Sequence, residues 1–323
     1  MGLRACFASI SATVVIAATA TVAVQPSAWA AGPADGRGPS ASGLEEFWTP
    51  ERMAEAVPVA SAKPAEPAEP AESAKGPAAA RTSPSHPFKG IKQVGTFFWV
   101  EGSGGDRTYR FCGGTVVTSP GKNLVLSAAH CFDSWRSGAK LVFVPKHSGS
   151  SPQPYGIFPV KKSQIYADPR YLRPGGVKSA TGLDFAVLKA GPRSDGKKLQ
   201  DVVGSFPIGY NTGFRHSKTR VIGYPGFAAR QNPLDCVTKM KKFTTGDSGG
   251  WKGGTFSRID CAGYVSGTSG GPFITAGSER PRVVGLIGGW KTGGTSPDVS
   301  YSSYFDRDLK RVYDAAVAGR QLR

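Results

Sequence analysis

Short runs of β-branched and apolar residues, separated by turn residues, fill the chain after residue 88. Runs of this kind at regular spacing predict many short strands and an all-β fold. Examples of the predicted strands are residues 94–100, 114–117, 124–127, 141–144, 185–188, 221–223 and 283–287. A helical period is convincing only at 306–317, where the apolar positions are Leu309, Val312, Tyr313 and Ala316. We expect a β domain onto which this helix packs.

The amino-terminal segment, positions 1–30, has the pattern of a secretory signal peptide. Arg4 supplies the positive start, an apolar run follows, and Ala28 and Ala30 form a small-residue cleavage site. The apolar run is short and rich in Ala and Thr, which favours a cleaved signal over a membrane anchor. We therefore expect a secreted, extracellular protein, cut after Ala30, with no stable membrane insertion.

Residues 31–88 are rich in Ala, Pro, Glu, Ser and Gly. Such a composition buries too little apolar surface to order itself, which predicts a low-complexity prosegment or linker, a disordered tether before a domain at 89–323. One patch departs from this composition, because residues 44–59 include Phe47, Trp48 and Met53. An amphipathic helix docked on the domain and a disordered tether are both open readings of this patch.

The chain is strongly basic, with 40 Lys and Arg against 23 Asp and Glu, and 34 against 15 of these lie after residue 88. A basic surface could attract nucleic acid or other anionic partners. No clustered Lys/Arg run or nucleic-acid motif accompanies the charge, so a solubilising surface is the favoured interpretation. We expect a monomer with a protein or peptide substrate and no nucleic-acid partner.

Cysteine usage agrees with export. Removal of the signal takes Cys6 with it and leaves Cys112, Cys131, Cys236 and Cys261. An even set in an exported chain predicts two disulfides. Three pairings are possible, and we favour the two between sequence neighbours. A zinc site is the alternative, but the sequence has no C-x-x-C pair to support it.

Acyl transfer by serine needs a histidine to accept the hydroxyl proton and a carboxylate to orient the imidazole ring. Of the four histidines, His130 follows a β-rich run and precedes Cys131, whose disulfide would restrict its motion. His86, His147 and His216 lie in proline-rich or polar stretches, and we expect them to be exposed. His130 is therefore the candidate general base.

Three segments of the sequence are LSAAHC ending at Cys131, LDFAVL beginning at Leu183 and GTSGGPF beginning at Gly267. Together they resemble the chymotrypsin-like serine peptidases, and more narrowly their secreted bacterial V8-like branch. The order His, Asp, Ser along the chain matches that family. The resemblance covers residues 89–323 and implies a chymotrypsin-like double six-stranded β-barrel with a carboxy-terminal α-helix, preceded by the tether.

The resemblance also implies the roles of individual residues. His130, Asp184 and Ser269 would form the catalytic triad, and the N–H groups of Gly267 and Ser269 would form the oxyanion hole. The substrate-binding positions would be Gly263, Tyr264, Gly288 and Gly289. The same residues require no metal and no organic cofactor.

The pattern Gly-x-Ser-Gly-Gly occurs twice, around Ser248 and around Ser269. The first copy has the more usual Asp before the serine. The second is followed by Pro272 and precedes the β-rich run at 283–287, where the family places a substrate-binding strand. We therefore assign the nucleophile to Ser269 and interpret Ser248 as part of a surface loop with no strand behind it.

The sequence departs from the trypsin-like pattern in several places. Thr268 replaces the Asp that pairs with a new amino terminus, and the domain start has no Ile-Val-Gly-Gly segment. We expect a zymogen that is activated by removal of the tether. The position six before the nucleophile is Gly263, and residues 285–290 contain no histidine, so neither the trypsin device nor the glutamate-preferring one is present. The residue preferred at the cleaved bond stays open.

The favoured function is a secreted serine endopeptidase that works through an acyl-enzyme. A secreted esterase with the same triad is an alternative, because acyl transfer to water is common to both. A catalytically silent binding module on the same fold is the other alternative, since a fold does not dictate a function.

Overall fold

The computed structural model describes residues 1–2, 40–64, 82–132, 139–226 and 232–323. Nearly all of them belong to one unit, Gly38–Arg323. The predicted signal peptide falls outside the described residues except for its first two positions. Within the described part of the chain, no helix has the length and apolar character needed to span a membrane.

Fourteen strands and six helices make up the described chain. The strands are Val57–Pro58 (β1), His86–Pro87 (β2), Val94–Glu101 (β3), Thr108–Val117 (β4), Leu124–Ser127 (β5), Ala139–Pro145 (β6), Phe158–Ala167 (β7), Ala186–Ala190 (β8), His216–Gly223 (β9), Leu234–Thr245 (β10), Gly254–Asp260 (β11), Pro272–Thr275 (β12), Val283–Leu286 (β13) and Val299–Ser302 (β14). The helices are Ala41–Phe47 (α1), Pro50–Glu55 (α2), Pro169–Leu172 (α3), Gly176–Ser179 (α4), Leu199–Val203 (α5) and Arg307–Ala318 (α6).

The first sheet closes into a six-stranded barrel. Its strands follow the order β4-β3-β6-β7-β8-β5, and β5 pairs with β4 to complete the ring. Strand β3 is apolar on both faces for a physical reason. Phe97 packs against Phe132 and Phe143, whereas Phe98 on the opposite face meets Trp48 of the amino-terminal segment. The alternation expected of a half-exposed strand is therefore absent.

The second sheet has six strands in the order β13-β12-β9-β10-β11-β14, and β2 adds to β10. Its two ends approach each other, because the Leu286 N–H donates to Ser302 Oγ and the Gly288 N–H donates to Tyr301 O. A second apolar cluster fills this sheet, and the disulfide Cys236–Cys261 lies in it. The all-β class with two six-stranded units is confirmed.

Of the two readings left open for the apolar patch, the structure shows the docked helix, because residues 40–64 contain two short helices. Helix α1 begins after Ser40, whose Oγ accepts the Gly43 N–H, and α2 begins after Thr49. Trp48 is fully buried, and its Nε1–H donates to Lys140 O at 2.7 Å. Burying one such side chain contributes about 1.5–3 kcal/mol. The apolar patch therefore orders residues 40–64, whereas 65–81 lie outside the described residues.

The predicted carboxy-terminal helix is confirmed as α6. Asp306 caps it by accepting the Asp308 N–H, and Gly319 ends it in the left-handed conformation at φ 69°. Leu309, Val312 and Ala316 are buried on the predicted face. The helix packs against β7 and β8 of the first barrel.

Candidate functional site

His130 and Asp184 form a buried pair at the edge of the first barrel. A short 3₁₀ turn, Ala129–Phe132, follows β5 and carries the histidine, and a second turn, Thr181–Leu183, precedes the aspartate. The distance from His130 Nδ1 to Asp184 Oδ2 is 2.8 Å. The His130 backbone N–H donates to Asp184 Oδ1 at 2.9 Å. One carboxylate thus fixes both the ring and the backbone of the histidine.

Asp184 is held as an anion in spite of its burial. Burial alone raises the pKa of a carboxyl, but the charge of His130 and the hydrogen bonds from His130 and the Gly289 N–H outweigh this effect and lower the pKa of Asp184. The Gly289 N–H donates to Oδ2 at 2.8 Å, and the Asp184 N–H donates to Ser303 Oγ at 3.2 Å. The second sheet therefore orients the acid that belongs to the first barrel.

Ser269 lies in a buried loop between the two sheets. Its carbonyl oxygen accepts the Gly113 N–H at 2.8 Å. The Gly270 N–H donates to Ile287 O, and the Ile287 N–H donates to Gly271 O, at 2.9 and 2.8 Å. These bonds hold residues 267–271 between β4 and the end of β13. Only 2% of Ser269 is exposed.

Glycine is required at Gly267 and Gly270 by conformation and by space. Both have positive φ, 98° and 77°. A Cβ on Gly267 would lie 2.7 Å from Gly226 N, and one on Gly270 would lie 2.2 Å from Gly113 O. Among the described residues, no acceptor takes a hydrogen bond from the N–H of Gly267 or Ser269. These two donors are therefore free to stabilise a developing oxyanion.

One stretch of β4 links the serine loop to the histidine turn. The disulfide Cys112–Cys131 joins β4 to the residue after His130. The next residue, Gly113, bonds to the Ser269 carbonyl, and its own oxygen accepts Ser127 Oγ–H at 2.7 Å. His130 Nε2 and Ser269 Oγ are both buried, and neither has a hydrogen-bond partner among the described residues. A serine nucleophile and its base would use these two atoms.

A cleft of about 290 Å³ opens beside His130, and the amino-terminal segment forms part of its wall. Its lining includes Val59, Ala60, His130, Val177 and Thr292. Strand β1 runs parallel to β4, with Val57 opposite Arg110. Val59 and Ala60 of the chain's own amino-terminal segment therefore lie on the wall of the cleft that reaches the candidate base.

The four predicted substrate-binding residues differ in burial and in what they contact. Gly263 is partly exposed, but Tyr264 is fully buried and its hydroxyl donates to Val221 O at 2.8 Å. The Tyr264 side chain therefore belongs to the core of the second sheet and lines no open pocket. Gly288 and Gly289 pack on the Asp184 carboxylate, where a Cβ on Gly288 would lie 3.0 Å from Oδ2.

Two further expectations need correction. His147 is buried, and its Nδ1 lies 2.9 Å from Pro152 O, because the imidazole ring packs edge-on against Phe98. Ser248 is exposed as expected, but strands β10 and β11 flank it as a hairpin. The strand that the sequence did not reveal behind this serine is Gly254–Asp260.

Sequence reasoning missed the roles that Gly113, Ser303 and Lys63 have at this site. Gly113 and Ser303 act through the backbone and the second sheet, so no local pattern reveals them. Lys63 is buried beside the cleft although it begins the Pro-Ala-Glu repeat.

Among the described residues, no group of three His, Cys, Asp or Glu side chains suits a metal ion.

Comparison with known proteins agrees with this geometry. A sequence model of the trypsin-like peptidase domain matches residues 112–286. No curated protein matches the chain. Among solved structures, the protease Anisep from Arthrobacter nicotinovorans is 23% identical, with a TM-score of 0.58, over 72% of this chain and 99% of that one. The thermostable serine protease AL20 from an extremophilic microorganism is 19% identical, with a TM-score of 0.55, over 70% and 97%.

Two six-stranded β units with a buried His–Asp pair and a serine loop between them define the class of chymotrypsin-like serine peptidases. The matched segment covers more than half of the chain, and it contains His130, Asp184 and Ser269. The chain belongs to the trypsin-like peptidase domain family, and it is a serine-type peptidase, a hydrolase.

Proposed function

We propose that the protein is an exported endopeptidase that cleaves peptide bonds through an acyl-enzyme, with His130, Asp184 and Ser269 as its triad. One observation carries the proposal. In the buried His130–Asp184 pair, Nδ1 is hydrogen-bonded to the carboxylate, whereas the outer nitrogen Nε2 and Ser269 Oγ are both buried and have no hydrogen-bond partner among the described residues. A base and nucleophile that are both unengaged suit proton transfer between them.

The reaction follows from these groups. Ser269 Oγ attacks the peptide carbonyl carbon while its proton moves to His130 Nε2, and the Asp184 carboxylate stabilises the imidazolium. The N–H groups of Gly267 and Ser269 receive the oxyanion. The C–N bond then breaks and His130 returns the proton to the leaving amine. Water repeats the sequence on the acyl-enzyme and regenerates the serine.

Export is supported by the two disulfides, Cys112–Cys131 and Cys236–Cys261. Disulfides persist in oxidising compartments and are rare in the cytosol. The signal pattern at positions 1–30 of the sequence points the same way. An amino-terminal sequence of the secreted protein that begins at Ala31 would agree with this part of the proposal, and a retained Met1 would contradict it.

The test is overnight labelling of the full chain with a fluorophosphonate, followed by mapping of the adduct by mass spectrometry. We expect one adduct on Ser269, none in Ser269→Ala, and unchanged labelling in the matched control Ser248→Ala. Hydrolysis of a peptide amide is measured in parallel, because an esterase would cleave esters alone. An adduct on Ser248, or peptide hydrolysis that survives Ser269→Ala, would overturn the assignment.

A further inference from the structure

Residues 61–64 are hydrogen-bonded between the two loops that flank the candidate nucleophile. On one side, the Ser266 N–H donates to Pro64 O at 2.8 Å. On the other side, the Ala62 N–H donates to Thr292 Oγ1 at 2.9 Å. Ser266 is three residues before the nucleophile, and Thr292 follows β13. A stretch of the chain's own backbone is thus bound to the loop that carries Ser269 and to the loop after β13.

The side chain of Lys63 enters a pocket that is closed to solvent. Only 4% of the residue is exposed. Its Nζ donates to Ser296 O and to Val299 O, both at 2.9 Å. The Tyr264 N–H donates to Pro297 O at 2.7 Å, which ties the loop before the nucleophile to the loop that supplies these oxygens. The end of the pocket is therefore built from backbone carbonyls.

The chemistry of this pocket is unusual for a structural anchor. Burial lowers the pKa of Lys63 to about 7, and the charge of exposed Asp298 opposes the shift only in part. No ion pair among the described residues includes Lys63. Burying an amine is costly, and an apolar side chain would anchor the segment at a lower cost. The two carbonyl oxygens instead accept hydrogen bonds, and within residues 61–64 the Lys63 amine is the side-chain group that donates to them.

We propose that the Lys63 pocket is the primary specificity pocket of this peptidase and takes the lysine side chain of a substrate, and that residues 61–64 occupy it as a substrate mimic. The inference rests on the proposed function and names its substrate class. It also accounts for the absence of the carboxylate with which the trypsin-like branch binds a basic side chain. Gly263 brings no carboxylate to the pocket, and the carbonyl oxygens of Ser296 and Val299 take over recognition of the amine.

The same contacts explain how the mimic is bound without being aligned for cleavage. The Lys63 carbonyl accepts no hydrogen bond from Gly267 or Ser269 among the described residues, so its carbon is not set on the oxyanion donors. The bond from the segment to this loop is instead made one residue later, by Pro64 O. Proline has no N–H and a fixed φ, which restricts the backbone at that point. The segment therefore blocks the pocket and leaves its own lysine bond out of reaction geometry.

The first experiment measures specificity in the full chain carrying Lys63→Ala, which vacates the pocket. Peptide coumarin amides with Lys, Arg, Met, Glu or Phe at the cleaved bond are compared. We expect kcat/KM for Lys to exceed that for Met about 10- to 100-fold, because Met fills the same length without the two hydrogen bonds. Arg should follow Lys, since its planar fork fits two converging oxygens less well. Preference for Glu or Phe, or equal rates for Lys and Met, would overturn the proposal.

A second experiment does not depend on activity. n-Butylamine reproduces the lysine side chain beyond Cα, and 1-butanol is its neutral counterpart. By NMR titration we expect the amine to bind the Lys63→Ala chain at least about tenfold more tightly than 1-butanol, and more tightly than it binds wild type. Lys92→Ala, which removes an exposed lysine, is the matched control and should behave as wild type. Equal binding to all three chains would contradict the pocket.

The two proposals fail in different ways. Binding of the amine without peptide cleavage or fluorophosphonate labelling would remove the proposed function and keep the pocket. Cleavage through Ser269 without a preference for lysine would keep the function and remove the pocket. Thermal unfolding checks that each variant is folded. If Lys63→Ala does not accumulate, Lys63→Gln retains a polar side chain and is used with the same substrates and expectations.

Discussion

The two Gly-x-Ser-Gly-Gly segments share one pattern and have opposite surroundings. Residues 246–250 form the exposed tip of the hairpin between β10 and β11, closed by reciprocal backbone hydrogen bonds between Ser248 and Trp251. Residues 267–271 are buried between the two sheets, and the Ser269 carbonyl accepts the Gly113 N–H. A Cβ on Gly249 would meet nothing within 4 Å, whereas one on Gly270 would meet Gly113 O at 2.2 Å. The same five-residue pattern therefore makes a turn in one place and a candidate active site in the other.

The residue before each serine shows the same contrast. Asp247 is exposed, and its carboxylate accepts the Gly253 N–H at 2.8 Å, which helps to close the hairpin. Thr268 is buried, and its Oγ1–H donates to Val265 O at 2.7 Å. An unpaired carboxylate in the second place would cost several kcal/mol. The motif with Asp before the serine thus occurs at the exposed site, where the carboxylate is solvated. The motif with Thr before the serine occurs at the buried site, where a carboxylate would not be solvated.

The largest effect that tests this contrast is on the two hydroxyls themselves. Ser269→Ala should lower kcat for a lysine peptide amide by about 10⁴- to 10⁶-fold, because the nucleophile is lost. Ser248→Ala should leave kcat within about twofold, as expected for an exposed turn residue. Initial-rate measurements on the two purified variants decide it. A large loss from Ser248→Ala would reverse the contrast.

Asp184→Asn should have the next largest effect. Asparagine keeps the shape but offers an N–H where His130 needs an acceptor, so kcat should fall about 10³- to 10⁴-fold. The matched control is Asp247→Asn in the hairpin, which should leave kcat unchanged. Activity of Asp184→Asn close to wild type would mean that the buried His–Asp pair is structural only.

A glycine pair tests the packing difference. Gly270→Ala should lower the free energy of unfolding by about 3 kcal/mol or more and reduce activity, since the new methyl group collides with the Gly113 backbone. Gly249→Ala should cost about 1 kcal/mol, the ordinary penalty for alanine at positive φ. Urea unfolding of both variants measures the difference. Equal losses of unfolding free energy in the two variants would show that positive φ alone, and not close packing, constrains residues 267–271.

The smallest predicted effect is the pH dependence of access to Ser269. Lys63 has a pKa of about 7 when docked, against 10.5 when solvated. The undocked segment therefore binds more protons between these values, and docking strengthens as pH rises through this window. Below pH 7 both states are protonated and docking is weakest. Ser269 labelling by a fluorophosphonate, taken relative to Lys63→Met, should fall about tenfold from pH 7 to pH 8.5.

The relative rate in this measurement cancels the titration of the catalytic groups, since both chains share them. Asp298 is the charged group that acts on the docked amine, so Asp298→Asn should shift the profile toward lower pH. A relative rate that stays flat, or one that rises with pH, would contradict docking of Lys63 as the control of access to Ser269.

Much of the fold was accessible from the sequence because its signals are local. The period of α6, the β-rich runs of the first barrel and the turn residues between them depend on neighbouring positions only. Strands β10 and β11 were not predicted, because their local sequence does not look apolar. Their exposed positions carry residues such as Lys239, Lys241 and Lys242, and only the structure shows that Met240 and Ile259 are buried.

The amino-terminal segment was beyond local reasoning for a different cause. Its sequence left a docked helix and a disordered tether both open. In the structure Trp48 packs against Phe98 and Tyr109 on the outside of the first barrel, and Lys63 Nζ donates to two carbonyl oxygens. Each of these contacts joins residues that are far apart in the chain. Their stabilising energy depends on a surface that other segments build, so it cannot be read from residues 40–64 alone.

The sequence by itself determined the β-rich architecture, the final helix and the family, and it predicted His130, Asp184 and Ser269 as the candidate site, because these follow from local period and from motif order. Only the tertiary structure decided that Gly289 and Ser303 orient the acid, that Tyr264 belongs to the core, and that Lys63 lies in a pocket beside the serine loop. The physical reason is that hydrogen-bond partners and burial are set by which distant segments meet. That information arises when the two sheets and the amino-terminal segment pack together.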